Sequence, residues 1–208
     1  MTSTGFDLPV IPTFFRGMTE NELCNYFQTQ VPGHPQGCGP YSIAMAANLY
    51  NSKLQATEYQ GADVEKILEH RWLKIPGLGM PTWFGVRKGL RLFTQGKVDS
   101  TKHASLWDIQ HAITDNQLPI IAISWQSTKE IAADIKEATV GHYMVAVGFD
   151  TSNNQMFFLN PGVATNEGSS HLFTISYQEL DKLWNKKSNL FIRPGSMWTI
   201  SAFPELSY

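Results

Sequence analysis

The stretch GHPQGCGPYSIAMAANLY, residues 33–50, sets a cysteine, Cys38, between two glycines and directly before a run of small and apolar residues. Pro40 suits the first turn of a helix, where its missing N–H is not needed. Ile43, Ala46, Ala47 and Tyr50 then recur at i, i+3, i+4 and i+7, which predicts a helix with one buried face. A cysteine that merely fills a core has no need of flanking glycines, whereas a nucleophile does. The thiolate is the attacking species, and a free thiol with a pKa of about 8.5 is mostly protonated at neutral pH. A helix N-terminus favours the anion through its dipole and its unpaired N–H groups. Gly37 and Gly39 leave the sulfur reachable and let a substrate backbone come close. The competing reading of Cys38 is a buried structural cysteine.

The chain surrounding this stretch has 208 residues, which fits one domain, 1–208. With 42% hydrophobic and 12% aromatic residues it can bury a sizeable core. Charged residues make up 16% against the roughly 25% of ordinary domains, so the surface should be rich in uncharged polar groups. A net charge of −2 without any Lys/Arg run argues against a nucleic-acid or anionic-membrane partner. The two cysteines, Cys24 and Cys38, do not describe a disulfide scaffold, although one bridge between them is compatible with the count. The start, MTSTGFDLPVIPTFF, lacks the basic n-region and continuous apolar core of a secretory signal, and no apolar run approaches the ~18 residues of a membrane span. The expected location is the cytoplasm, or outside the cell by export without a recognisable signal peptide.

Residues 1–37, with four prolines, read as a mostly extended arm. Residues 38–117 read as mainly helical, with further helices over 61–74, the end of 77–93, and 105–117. From 118 to 208 the texture becomes mainly β: LPIIAISWQ (118–126), HYMVAVGFD (142–150), QMFFLNPG (155–162), HLFTISY (171–177) and MWTISAF (197–203) are short β-rich runs bounded by turn residues. TSNNQ (151–155) predicts a hairpin turn. YQELDKLWNK (177–186) interrupts the strands as one more helix. Helices first and strands later define an α+β protein with segregated layers. Where the two halves meet is a natural place for a cleft.

A cysteine nucleophile needs a base, and the six histidines are His34, His70, His103, His111, His142 and His171. His70, His103 and His111 fall on polar helix faces or turns, and His171 follows a Gly-Ser-Ser turn. His34 sits in a Gly/Pro loop close to Cys38. His142 differs, because it follows Gly141 and opens a strand whose Val145 and Val147 alternate around small Ala146. A histidine at the mouth of a buried strand can be held with one nitrogen toward a cleft. A third group must orient it. The next strand ends in Asn160, before Pro161 and Gly162, and a hairpin at TSNN brings that end beside His142. The side-chain oxygen of Asn160 can then accept the imidazole N–H. Taken alone, Asn-Pro-Gly is only a turn.

CGPYSIAM, LPIIAISW, GHYMVAVGFD and FFLNPG, in this order, resemble the papain-like cysteine peptidases, and most nearly the bacterial branch of bacteriocin-processing, double-glycine leader peptidases. The resemblance covers roughly residues 28–165. It implies a papain-like fold, a helical part packed against an antiparallel sheet with the cleft between them, and the roles nucleophile, general base and orienting residue for Cys38, His142 and Asn160. That branch more often carries Asp where this chain has Asn160, while papain itself uses Asn. The resemblance also implies an oxyanion-binding glutamine some six residues before the cysteine. Gln28, Gln30 and Gln36 lie ten, eight and two residues upstream. Gln30 is favoured, because the VPGHPQG loop can absorb two extra residues, and the backbone N–H of Cys38 would be the second donor.

Residues 51–105 lie outside what the resemblance explains. There Trp72, Met80, Trp83 and Phe84 stand among glycines, either as a cleft wall or lid, with Trp83 its foremost candidate, or as lobe core.

The expected activity is hydrolysis of a peptide or isopeptide bond in a peptide or protein substrate, through a thioacyl-enzyme and without a cofactor. The same three residues also suit an acyl transferase, transamidase or deamidase. A papain-like module that binds peptides without cleaving them is the reading of a different class. A metal site from Cys24, His34, Cys38 and His142 lacks any C-x₂-C or H-x₃-H pairing, so no metal is expected.

Overall fold

The computed structural model describes residues 12–28, 38–52, 64, 67, 82–94, 96–123, 142–162, 172–184 and 195–201, without side chains at 82–84. The apolar runs of the C-terminal half become strands: β3 (Leu118–Ile123), β4 (His142–Asp150), β5 (Gln155–Leu159), β6 (Leu172–Ser176) and β7 (Met197–Ser201). With β1 (Thr13–Phe14) and β2 (Lys97–Thr101) they form one antiparallel sheet in the order β2-β7-β3-β4-β5-β6, with β1 alongside β4. β3 and β4 are buried along their whole length, as their unbroken apolar sequences require of central strands.

Helices cover both faces. Successive residues of a strand point to opposite sides. On β3, Leu118, Ile120 and Ala122 therefore join one core while Ile121 and Ile123 join the other. On β4, Tyr143, Val145 and Val147 belong to the first core and Met144 and Ala146 to the second. A bulge between Ala146 and Gly148 then shifts the alternation, so Phe149 joins the second core despite its odd number. Helices α2 (Cys38–Ser52) and α3 (Thr82–Phe93) pack on the first face, with Ile43, Met45, Val86 and Leu90 inward. Helices α4 (Leu106–Thr114) and α5 (Tyr177–Trp184) pack on the second, through Ile109, Ile113, Leu180, Leu183 and Trp184.

This is the expected α+β, papain-like arrangement, with three differences in detail. The arm is not simply extended: Thr19 and Glu22 form a capping box that starts the short helix α1 (Glu20–Cys24), and β1 docks on Gly148, where any side chain would meet Phe14. β2 lies inside the stretch read as helical. Its burial alternates with Val98 its inward apolar residue, too faint a period-2 signal to read without its partner β7. Finally, α2 is not one-sided, since thirteen of its fifteen residues are buried. A helix buried nearly all round is an interior one.

The helix expected over 61–74 is described at Val64 and Ile67, both helical and buried. Among the described residues no helix is long and apolar enough to cross a membrane.

Candidate active site

Three sequence elements converge at one end of β4. Cys38 is the first residue of α2 and only 9% exposed. His142 is the first residue of β4, held laterally by its pairing with Ile123 at the end of β3. Asn160 follows the last residue of β5. The register pairs Val145 with Leu159, so continued by one step it would bring Asn160 beside Met144, and by three steps Gly162 beside His142. The hairpin anticipated at residues 151–154 thus delivers the asparagine to the histidine.

The contact is direct. His142 Nε2 lies 2.6 Å from Asn160 Oδ1, and both side chains are buried. The backbone N–H of Gly162 donates to that same Oδ1 at 3.0 Å. A backbone N–H can only donate, so the shared atom is the carbonyl oxygen of the amide and the side chain has one orientation. A carbonyl oxygen can only accept, so Nε2 carries the imidazole proton. Nδ1 is therefore the basic nitrogen of the neutral ring.

Cys38 meets the same strand one residue further on. The backbone N–H of Tyr143, followed by those of Gly39 and Cys38 at the head of α2, favours the thiolate form of the Cys38 sulfur. Four residues along the same helix face, the Ser42 hydroxyl, fully buried, donates to the Tyr143 carbonyl at 3.0 Å. One residue of β4 is thus held at both its backbone polar groups by α2.

Burial sets the protonation states. It pushes the Cys38 thiol up, and the three backbone N–H groups offset only part of that. The helix terminus alone was expected to favour the anion. In the closed site desolvation outweighs it. Burial also lowers His142 to about 4, against the opposing hydrogen bond from Asn160. Both groups are then neutral near pH 7.

A stability consequence follows. Between pH 6.5, the ordinary histidine value, and about 4, the unfolded chain binds a proton at His142 that the folded chain refuses. Stability from this group is therefore complete above pH 6.5 and is lost as pH falls toward 4. At pH 5 the loss is about 2 kcal/mol, or roughly 4–8 °C in Tm for a chain of this size. His142→Gln should remove that share of the Tm difference between pH 7 and pH 5, read by differential scanning calorimetry. An undiminished difference would place the titration elsewhere.

Of the other residues singled out in the sequence, Gly39 is buried in the first turn of α2. Gln28 follows α1, and its backbone N–H donates to the Met45 sulfur at 3.2 Å, which sets that stretch against the middle of α2. Gln30, Gln36, Gly37, Gly141 and His34 lie outside the described residues, as does the side chain of Trp83 in α3. His103 is exposed. His111 stacks on exposed Trp107 and pairs with Asp115 on a solvated helix face, as the polar pattern suggested. Cys24 and Cys38 are not bridged by a disulfide. Ser42, the Tyr143 backbone and Gly162 were missed. The one available signal was a hydroxyl at Cys38+4, one helical turn from the cysteine.

A buried cysteine heading the central helix, on an antiparallel sheet with a histidine at a strand mouth, is the architecture of the papain-like cysteine peptidases, and this protein is one of them. The chain belongs to the Peptidase_C39 like family, whose model matches residues 21–190. Among solved structures it is similar to a protein from Bacillus anthracis described as a C39-like peptidase, at 13% identity and a TM-score of 0.60, covering 88% of this chain and 98% of that one. It is also similar to xylellain, a cysteine protease from Xylella fastidiosa, at 13% identity and a TM-score of 0.46, covering 95% and 88%. At 13% identity the likeness to the Bacillus anthracis protein concerns the fold. No curated protein matches the sequence.

Proposed function

We propose that this chain, as a single domain, hydrolyses a peptide or isopeptide bond through Cys38, His142 and Asn160. The observation that carries the reading is the double acceptance by Asn160 Oδ1, from Gly162 and from His142, which leaves Nδ1 as the base at the strand mouth where Cys38 docks. As the sulfur adds to the substrate carbonyl carbon, Nδ1 takes the thiol proton. That transfer creates two opposite charges at once, and their attraction offsets part of what each would cost alone in the buried site. The imidazolium then gives its proton to the departing amine nitrogen as the C–N bond breaks. Water, deprotonated by Nδ1, attacks the thioester and releases the acid and the thiol. The backbone N–H of Cys38 is one donor to the oxyanion, and Gln30 is our choice for the second. Gly37, Gly39 and Gly141 would flank the substrate backbone, and Trp83 a wall of the cleft.

Iodoacetamide labelling across pH 4–10, with Cys38 followed by peptide mapping, tests the pair. A thiol that exchanges its proton with a neighbouring imidazole presents a constant reactive fraction, so its labelling rate is flat from about pH 4 to above the ordinary thiol range. A lone thiol gains about tenfold per pH unit until it ionises. The wild type should show the plateau, and His142→Ala should replace it with the slope. A wild type that already shows the slope would sink the reading.

A further inference from the structure

Tyr143 sits where the sheet runs out of partners. β5 ends at Leu159 opposite Val145, and continuing that register brings Pro161 opposite Tyr143. Proline has no N–H to give to the Tyr143 carbonyl. On the other side, the N–H of Ala122, the β3 residue paired with Tyr143, turns away to the carbonyl of Ser196. The first turn of α2 meets the need instead: the Tyr143 N–H favours the thiolate form of Cys38, and Ser42 donates to the Tyr143 carbonyl. Cys38 and Ser42 stand one turn apart on the same helix face, as the N–H and carbonyl of one extended residue stand side by side along the strand.

We propose that Ser42 is a positioning residue, whose hydrogen bond to the Tyr143 carbonyl fixes the helix on the strand so that the Cys38 sulfur stays in register with the adjacent His142. This rests on the Cys38–His142 pair proposed above. The nucleophile and the base come from elements 104 residues apart in sequence, and no covalent link ties one to the other. Apolar packing of α2 in the first core resists separation, but it does little to resist a slide along the strand. A directional hydrogen bond beside the sulfur does. Ser42 touches neither substrate nor reacting atoms in this account. It acts on Cys38 through the backbone of Tyr143, which both side chains contact.

The test measures the pH dependence of Cys38 alkylation by iodoacetamide in wild type, His142→Ala, Ser42→Ala, Ser42→Thr and Ile43→Val. Ile43 is the neighbouring fully buried residue of α2, and its variant loosens the core while leaving the hydrogen bond intact. Ser42→Ala should lose the plateau and label about 10–100-fold more slowly at pH 6, because a sulfur displaced by about 1 Å forfeits its partner. Ser42→Thr, which keeps the hydroxyl, and Ile43→Val should keep the plateau.

The inference fails if Ser42→Ala keeps the plateau that His142→Ala loses, and the Cys38–His142 pair then stands without it. It also fails if Ile43→Val at equal Tm loses as much as Ser42→Ala. A wild type without a plateau removes the pair and the inference together. Should Ser42→Ala not fold, hydroxyl exchange in the wild type decides. A Ser42 hydroxyl held on the Tyr143 carbonyl gives a slowly exchanging proton resolved by NMR, and exchange at the rate of a free hydroxyl overturns the proposal.

Discussion

Cys38→Ala will abolish amide hydrolysis, and His142→Ala will lower kcat by about 10⁴-fold or more with little change in KM, since neither residue is asked to hold the substrate. The two losses should not add. A sulfur without a base and a base without a sulfur disable the same step, so the double variant should be no worse than Cys38→Ala. Cleavage of a proteome-derived peptide library, read by mass spectrometry, serves as the assay whatever sequence the enzyme prefers. The pH profile of kcat/KM completes the expectation. Below about pH 4, His142 takes a proton and the base is lost. Above the raised range of Cys38, the pair has lost the proton that must reach the leaving amine. Activity should therefore span a broad plateau, wider on both sides than an unburied thiol and imidazole would give. An acid limb near the ordinary 6.5 would mean that water reaches His142 in the working enzyme. Activity surviving in Cys38→Ala would mean that the chemistry lies elsewhere.

The sequence made the outer frame of this site legible for specific reasons. Gly-Cys-Gly-Pro marks a helix start because proline and glycine have few other uses there. HYMVAVGFD reads as a central strand because its residues are apolar on both faces, and the structure buries it end to end. TSNN marks the reversal between β4 and β5, and Asn154 adopts the left-handed backbone such a turn requires, with φ at 54°. From these three signals the meeting of His142 with Asn160 could be anticipated, because a hairpin fixes its own register.

What could not be anticipated depends on contacts between segments far apart. β2 is a strand because β7 lies beside it, and its own sequence, KVDST, barely alternates. The burial of α2 on all sides depends on what packs over it, although its own periodicity displays a single face. The raised thiol is of the same kind: a helix N-terminus can be read from sequence, whereas the desolvation that outweighs it cannot. Ser42 is the sharpest instance. Nothing in YSIAMAA says that its hydroxyl will meet a carbonyl 101 residues away.

Gly162→Ala should lower kcat by about 10²-fold while leaving the fold in place. The backbone at Gly162 is outside the left-handed region, so alanine meets no strain of its own there. The added carbon would instead stand 2.9 Å from Cε1 and 3.2 Å from Nε2 of His142, with Asn160 Oδ1 at 3.4 Å. An imidazole that is 2% exposed has little room to yield. It can give way only by lengthening the 2.6 Å bond to Asn160, the contact that keeps the proton on Nε2. A base displaced by a few tenths of an ångström and free to change tautomer is impaired without being removed, so the effect should fall well short of His142→Ala. Nitrogen NMR of the imidazole would follow the cause. The wild type should show the Nε2–H form alone, and Gly162→Ala a mixture with Nδ1–H. Unchanged kcat with an unchanged tautomer would show that the ring has slack, and that Asn160 holds it less tightly than the 2.6 Å contact implies.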